Sequence, residues 1–221
     1  MLAGWENFMG DLQEQFPLVL DGVKKTLLLA LTVSLTGFLW GIVIFFLSIS
    51  HHPVIKRLTK IYMDFFIGTP LIIILFVIYY GLPQTGIHLS PFNVALTGFT
   101  LNVGAYNAAY MTTAFNAIAP SQAETATVQG FTRWQVFRLI LLPQVLLASV
   151  PALTNQVVSN IKDSTVAFLI QYPEFFARIQ EVAAADFEFF KAYLFAAIVY
   201  LILITTIIIL VKAAKHCFIS R

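Results

Sequence analysis

The sequence reads ETATVQG over residues 124–130 and ILLP over residues 140–143. Both stretches lie in the one polar interval, interrupted by glycine and proline, between long apolar runs. Glycine and proline both interrupt regular structure, so the glycine ending the first block and the proline ending the second predict a bend at either end. Between them, Phe131, Trp134 and Phe137 recur at the spacing of one helix face. The interval predicts a short amphipathic helix that either lies flat on a membrane or docks into a partner's groove.

The composition indicates an integral membrane protein. Of 221 residues, 59% are hydrophobic and only 11% are charged, which is too little charge to cover a soluble globule. Several uncharged runs exceed the ~20 residues that a helix needs to cross a bilayer. The net charge of +2 gives no reason to expect a nucleic acid partner, and the single cysteine, Cys217, excludes an internal disulfide and a cysteine-based metal cluster. We therefore expect an all-α polytopic membrane protein without a metal site.

Uncharged runs and helix breakers predict five transmembrane helices, at about residues 26–50, 59–81, 92–117, 144–169 and 191–212. Residues 65–123 contain no Asp, Glu, Lys or Arg and are too long for one crossing, so the breakers at 81–83 and 90–91 separate two spans. Gly68-Thr69-Pro70 interrupts the earlier one, because proline removes a helix hydrogen bond. Such a break is tolerated where protein or a water-filled cavity covers it.

The segments before and between the spans are expected outside the bilayer. Residues 1–22 carry no Lys or Arg and lack the basic start of a cleavable signal peptide. Apolar side chains recur there at helical spacing and predict an amphipathic segment at the membrane interface: Trp5, Phe8, Leu12 and Phe16. Residues 170–191 are rich in charge and predict a solvated loop, which as an external surface could also meet a binding protein.

The distribution of positive charge predicts the orientation. Residues 51–60, 119–144 and the C-terminal tail together hold eight Lys and Arg, whereas the opposite set of segments holds four. Because cytoplasmic loops carry the excess of positive charge, the first set is expected in the cytoplasm. The N-terminus is then external, and residues 119–143 and the tail at 216–221 are cytoplasmic.

The punctuated interval also carries a resemblance. The pattern Glu124-x-Ala126-x3-Gly130-x9-Ile140-x-Leu142-Pro143 resembles the EAA loop of membrane subunits of binding-protein-dependent ABC importers, with Thr125 standing where the pattern has Ala. Further short motifs resemble the polar amino acid permease branch, and together they cover about residues 20–205: Gly68-Thr69-Pro70-Leu71, Tyr80-Gly81-Leu82-Pro83, Gly104-Ala105-Tyr106, Leu142-Pro143-Gln144 and Lys162-Asp163-Ser164.

The resemblance implies a type I ABC importer transmembrane fold and a transport subunit of the bacterial inner membrane. The implied partners are a second permease chain, identical or homologous, an external substrate-binding protein and a cytoplasmic ATPase dimer. The chain lacks the phosphate-binding pattern Gly-x4-Gly-Lys-Ser/Thr, so ATP and Mg would be bound by the ATPase, and the chain itself needs no cofactor and is not an enzyme. The residues implied in ATPase coupling are Glu124, Ala126, Gly130, Phe131, Trp134 and Pro143.

Polar residues late in the fourth span suggest a solute pathway. Asn155, Ser159 and the pair Lys162 and Asp163 fall on one helix face, and a charge at a helix centre costs ~2.5–3.5 kcal/mol on insertion scales. These side chains should therefore face a cavity or a partner. The stripe either lines a passage or joins helices by hydrogen bonds and ion pairs.

Two further groups have the same two interpretations. Asp64 and Thr69 lie at the break in the second span, where a half-helix N-terminus can point at an anionic group of a substrate. Tyr106, Asn107 and Tyr110 form a polar patch on the third span. Each group either lines the pathway or packs helices together.

The function predicted from these features is import of a polar amino acid or related small solute by alternating access. Many members of the branch have Arg before Gly-Thr-Pro, and Glu and Arg after Gly-Ala-Tyr; this chain has Ile67, Ala109 and Thr112 at those places. The missing charged pair on the third span favours a zwitterionic solute such as cystine or glutamine. The alternatives are an ABC permease for an osmoprotectant or organic ion, and an ATP-independent secondary transporter, for which no internal repeat is found.

Overall fold

The computed structural model of the chain describes residues 8–10 and 12–219, and all regular structure in that part is helical. Its helices are α1 (Phe16–Ser48), α2 (Pro53–Gly68), α3 (Leu71–Phe76, continued by a π turn at Val77–Gly81 and a 3-10 turn at Leu82–Thr85), α4 (Pro91–Asn116), α5 (Pro120–Val128), α6 (Arg133–Ile170), α7 (Phe175–Asp186) and α8 (Phe189–Ile219). The all-α prediction is confirmed.

By length and apolar composition, three of the described helices can cross a membrane, namely α1, α6 and α8. The broken pair of α2 and α3, bent by 102°, makes a fourth if it counts as one span. The 26 residues of α4 are long enough to cross, at ~1.5 Å each, but its asparagines and threonines lower its hydropathy. The count of five spans therefore stays a prediction.

The chain divides into two compact units. The first unit contains the described residues up to 33, residues 72–98 and residues from 157 onward, and the second contains residues 34–71 and 99–156. In the first unit, Phe8 and Leu12 are buried in a core with Phe175 and Ile179 of α7. Phe8 and Leu12 are expected at the membrane interface, but they pack against protein instead. Trp5 lies outside the described residues.

The loop predicted over residues 170–191 is wrong for Phe175–Asp186, which is helix α7. Glu174 begins this helix: its carboxylate accepts hydrogen bonds from the backbone N–H groups of Phe176 at 2.9 Å and Ala177 at 2.7 Å. Thr26 and Tyr200 also donate their hydroxyls to it, at 3.2 and 3.1 Å. Its carboxyl group therefore serves as a buried helix cap rather than facing solvent, because four donors replace part of the hydration that it loses.

In the second unit, α1 and α4 pack closely through small residues. A Cβ atom added at Gly37 would lie 2.6 Å from Val103 Cγ1, and one at Gly41 would lie 2.7 Å from Asn107 Cβ. Hydroxyl pairs flank this contact, with Thr36 and Thr100 2.7 Å apart. Glycines allow backbones to approach in this way where apolar burial alone does not hold membrane helices together.

The break predicted at Gly68-Thr69-Pro70 is confirmed, since α2 ends at Gly68 and α3 begins at Leu71. In an uninterrupted helix the carbonyl of Phe66 would accept from the N–H of residue 70, which proline lacks. The Asn102 side chain donates to this carbonyl at 2.7 Å instead. A polar side chain of α4 thus satisfies the acceptor that the proline leaves open.

Candidate functional site

The turn after α5 is built around Gly130. This residue has φ +89°, in the left-handed region that favours glycine. The N–H of Gly130 donates to the carbonyl of Thr127 at 3.0 Å, and the N–H of Phe131 donates to that of Ala126 at 3.1 Å. These two bonds form a Schellman motif, which ends a helix with a sharp change of direction. The bend predicted at this glycine is confirmed.

The next helix, α6, begins with a capping box. The Thr132 hydroxyl accepts from the Gln135 N–H at 3.3 Å, while the Gln135 side chain accepts from the Thr132 N–H at 2.8 Å. Each of these side chains accepts from a backbone N–H that has no acceptor within the helix. The Schellman motif and the capping box together occupy the ten residues 126–135, so the direction of the chain here is closely fixed by local bonds.

The bend predicted at Pro143 is wrong. Helix α6 continues through this residue to Ile170, because the turn before it, Val136–Leu141, is π-helical. A π turn widens the helix locally and changes which carbonyls are bonded, so the ring of Pro143 is accommodated. The predicted short helix with a bend at each end is therefore the first part of one long helix.

Aromatic residues at the start of α6 have two different environments. Phe137 is half-buried, with its ring centroid 5.7 Å from that of Phe46 and 6.5 Å from that of Phe115. Trp134 stacks on Phe137 at 6.1 Å, yet 62% of Trp134 is exposed. Phe131 is 36% exposed. Trp134 and Phe131 can therefore meet a partner, whereas Phe137 anchors the helix to α1 and α4.

The remaining residues predicted to take part in ATPase coupling also include both buried and exposed side chains. Ala126 is buried, at 4% exposure, whereas Glu124 and Pro143 are exposed. Val128 was missed, although an apolar residue in a polar interval is a signal; it is 89% exposed. We define the coupling surface as the exposed residues Glu124, Val128, Phe131 and Trp134.

Two glutamines that the prediction also missed connect α5 with α6. The side-chain amide of Gln144 donates to the side-chain oxygen of Gln122 at 2.7 Å and to the carbonyl of Ile140 at 2.7 Å. This pair, with the Schellman motif, makes α5 and the first turns of α6 one rigid element.

Within the second unit, Tyr106 and Tyr110 of α4 form a half-exposed aromatic pair, with ring centroids 6.2 Å apart. The Tyr110 hydroxyl is 3.4 Å from the side-chain oxygen of Gln156. Gln156 is thus another polar residue near these tyrosines. Asn107, in contrast, is 2% exposed and packs on Gly41, so its position favours helix packing.

The other predicted pathway residues stay predictions. In the second unit, Asp64 and Asn155 are exposed and Thr69 is partly buried. In the first unit, Ser159 is partly buried and Lys162 and Asp163 are exposed. No ion pair joins Lys162 or Asp163 to another side chain in the part of the chain that the structure describes.

Comparisons with known proteins agree with this architecture. Residues 34–215 match the family model described as the inner membrane component of binding-protein-dependent transport systems. A probable amino-acid ABC transporter permease protein, YckA, of Bacillus subtilis is 33% identical over 85% of this chain and 83% of its own length. The corresponding protein PatM of Vibrio harveyi is 32% identical over 88% of this chain and 87% of its own.

Among solved structures, one described as an amino acid ABC transporter with histidines superposes with a TM-score of 0.86. It is 26% identical and covers 93% of this chain and 96% of its own. The extent of the family match and the identity to the two permeases agree with the loop pattern at residues 124–143. The chain belongs to the family of inner membrane components of binding-protein-dependent transport systems.

Proposed function

We propose that this chain is the permease subunit of an ABC importer for a polar amino acid. The observation that carries the proposal is the TM-score of 0.86 to an amino acid ABC transporter, together with two relatives named as probable amino-acid permeases. The solute crosses by alternating access, and the residues proposed to line its path on the described helices are Asp64, Thr69, Tyr106, Tyr110, Asn155, Ser159, Lys162 and Asp163. Asn107 is the weakest member of the predicted pathway because it is buried.

The family implies an ATPase and a substrate-binding protein as partners. We propose that an ATPase dimer, which binds ATP and Mg, contacts the coupling surface. A large exposed aromatic such as Trp134 is the kind of anchor that fills a pocket on a partner, and Val128 is exposed as well. Ala126, Gly130 and Pro143 contribute through the shape of the backbone. Because the ATPase binds ATP and Mg in this proposal, no cofactor is proposed for the chain itself.

We further propose a dimer of permease chains, identical or homologous, with the N-terminus external and the C-terminus in the cytoplasm. The excess of positive charge at residues 51–60 and 119–144 supports this orientation. On the external side, α7 offers the binding protein a groove of about 410 Å³ lined by Tyr172, Gln180 and Glu181 among others.

We propose a zwitterionic solute because the third span lacks a charged pair. Ala109 and Thr112 stand where many members of the branch that this chain resembles have Glu and Arg. A charged solute that needs an oppositely charged side chain would find none at these positions. An osmoprotectant or an organic ion is the alternative within the same transport class.

The test is reconstitution of the permease with its ATPase and binding protein in vesicles. Glutamine and cystine should stimulate ATP hydrolysis and accumulate inside, whereas arginine and glutamate should do so less. Stimulation by glycine betaine or an organic anion alone would support the alternative solute. If no ATPase subunit co-purifies with the chain and uptake follows an ion gradient, the importer proposal fails in favour of a secondary transporter.

A further inference from the structure

Helix α2 has three distinct faces, of which only one packs on protein. Thr59 is 5% exposed, and the Tyr62 hydroxyl donates to the Leu101 carbonyl at 2.6 Å. Tyr62 and Phe66 also contact each other, with ring centroids 4.7 Å apart. This side of the helix faces α4, and with 3.6 residues per turn the other two sides point away from it.

The second face carries positive charge without a partner. We call Lys56, Arg57 and Lys60 the basic face; all three side chains are exposed. None of them makes a hydrogen bond or ion pair within the described residues, where the recorded ion pairs are Lys25 with Asp21, Arg178 with Glu181 and Lys191 with Glu188. The nearest acid in sequence, Asp64, is one turn beyond Lys60 and does not pair with it.

The third face is an apolar stripe of large exposed side chains. It consists of Val54, Leu58, Ile61 and Phe65, which are 56%, 62%, 56% and 57% exposed. Their spacing of four, three and four residues places them along one side of the helix. In a membrane protein such a stripe can meet acyl chains, and cations near the first turns of the same helix can then reach the lipid headgroups.

We propose that the basic face and the apolar stripe of α2 together bind an anionic phospholipid. The acyl chains lie along the stripe and the phosphate contacts the three cations. Charge complementarity selects this occupant: a zwitterionic lipid would leave the cations without net neutralisation, whereas each Lys or Arg near an anionic surface contributes about five-fold in affinity. The proposal depends neither on the transported solute nor on the identity of the ATPase.

The experiment uses the full chain in vesicles of equal parts phosphatidylglycerol and phosphatidylcholine, with a spin-labelled lipid of either kind as probe. Wild type should prefer phosphatidylglycerol by up to about a hundred-fold, because three contributions of about five-fold multiply, and the variant K56Q/R57Q/K60Q should lower that preference to about one. Raising the salt concentration should reduce the wild-type preference in the same direction. The variant Leu58→Ser should weaken association of both lipids equally, because it alters the stripe and leaves the charge.

The matched control is K24Q/K25Q, which removes two charges from α1, where Lys25 already pairs with Asp21 at 2.6 Å. It should keep the wild-type preference. The single variants of the basic face should each lower it by a fraction, which tests the idea even if the triple variant fails to fold.

Four results would overturn the proposal: an unchanged preference in the triple variant, an equal loss in K24Q/K25Q, displacement of the labelled lipid by inorganic phosphate, or a loss of a co-purifying protein with lipid preference intact. The third result would assign the cations to free phosphate, and the fourth to an acidic protein surface.

Discussion

The side-chain nitrogen of Asn102 lies 2.7 Å from the carbonyl oxygen of Phe66, four residues before Pro70. The two residues are 36 positions apart in the chain, and the asparagine supplies the donor that the proline lacks. Asn102 is 8% exposed, so water cannot readily take its place.

Replacing Asn102 with leucine should lower the free energy of unfolding by ~1–3 kcal/mol, because a buried acceptor loses its partner. In a Pro70→Ala background, where residue 70 has an N–H again, the same replacement should cost clearly less. A double-mutant cycle of thermal unfolding in one detergent measures the difference. Equal costs in both backgrounds would mean that the amide does not substitute for the missing donor.

Gly130→Ala should cost ~1–2 kcal/mol and reduce coupling between solute and ATP hydrolysis, since alanine is strained at φ +89°. No atom lies within 4 Å of the added Cβ, so the cost arises from the backbone alone. Gly130→Asn should be milder, because asparagine tolerates this conformation. Gly81→Ala is the control, as it also has open space but no positive φ. Similar losses in both alanine variants would contradict the explanation.

Trp134→Ala and Phe137→Ala should separate partner binding from folding. The exposed Trp134 should change the free energy of unfolding by less than ~0.5 kcal/mol yet weaken ATPase association about thirty-fold, as for an interface anchor. Phe137→Ala should destabilise the chain itself by about 3 kcal/mol, because its ring packs on Phe46 and Phe115. Binding assays with the purified ATPase and thermal unfolding measure the two effects, and a reversed pattern would refute the assignment.

Gly37→Ala should be destabilising by ~1–3 kcal/mol, because its Cβ would lie 2.6 Å from Val103 Cγ1. Adding Val103→Ala removes that methyl group and should recover part of the loss relative to Val103→Ala alone. Thermal unfolding of the three variants decides the matter. If Gly37→Ala unfolds as wild type does, α1 and α4 are not packed as closely as described.

Glu174 should make stability depend on pH. Burial raises the pKa of the Glu174 carboxyl above its ordinary value, and this effect exceeds the opposing hydrogen bonds from Phe176, Ala177, Tyr200 and Thr26. Folding then favours the protonated form, so stability is highest below the unfolded pKa and falls as pH rises through the higher folded value.

Unfolding midpoints measured from about pH 4 to about pH 8 should therefore decline for wild type and less so for Glu174→Gln, which cannot ionise. Glu14→Gln, at an exposed position, should keep the wild-type slope. A wild-type midpoint that rises over this interval would show that the carboxylate is stabilised in the folded state.

Local signals were enough for some of these features and not for others. The Gly-Thr-Pro break and the turn at Gly130 depend on the backbone conformations that single residues allow. These restrictions apply regardless of the tertiary surroundings. The role of Asn102 depends on a carbonyl 36 residues away, and no local pattern predicts that contact.

Two errors have identifiable physical causes. Charge over residues 170–191 predicts a solvated loop, but Glu174 is buried because four donors surround it. Pro143 predicts a bend, but the preceding π turn accommodates it. In the first case tertiary contacts supply hydrogen-bond donors to the buried carboxyl group. In the second case the widened helix turn supplies space for the proline ring.

The π turn at Val136–Leu141 also sets the rotational register of α6. Such a turn acts as a one-residue insertion, so every side chain after it is rotated by about 100° relative to an uninterrupted helix that begins at Thr132. Relative to Trp134, Asn155 therefore points in the direction that the residue next to Asn155 in sequence would have in an uninterrupted α-helix. Deleting one residue from this turn would restore the α register and turn every later side chain of the helix by about 100° while leaving Trp134 in place.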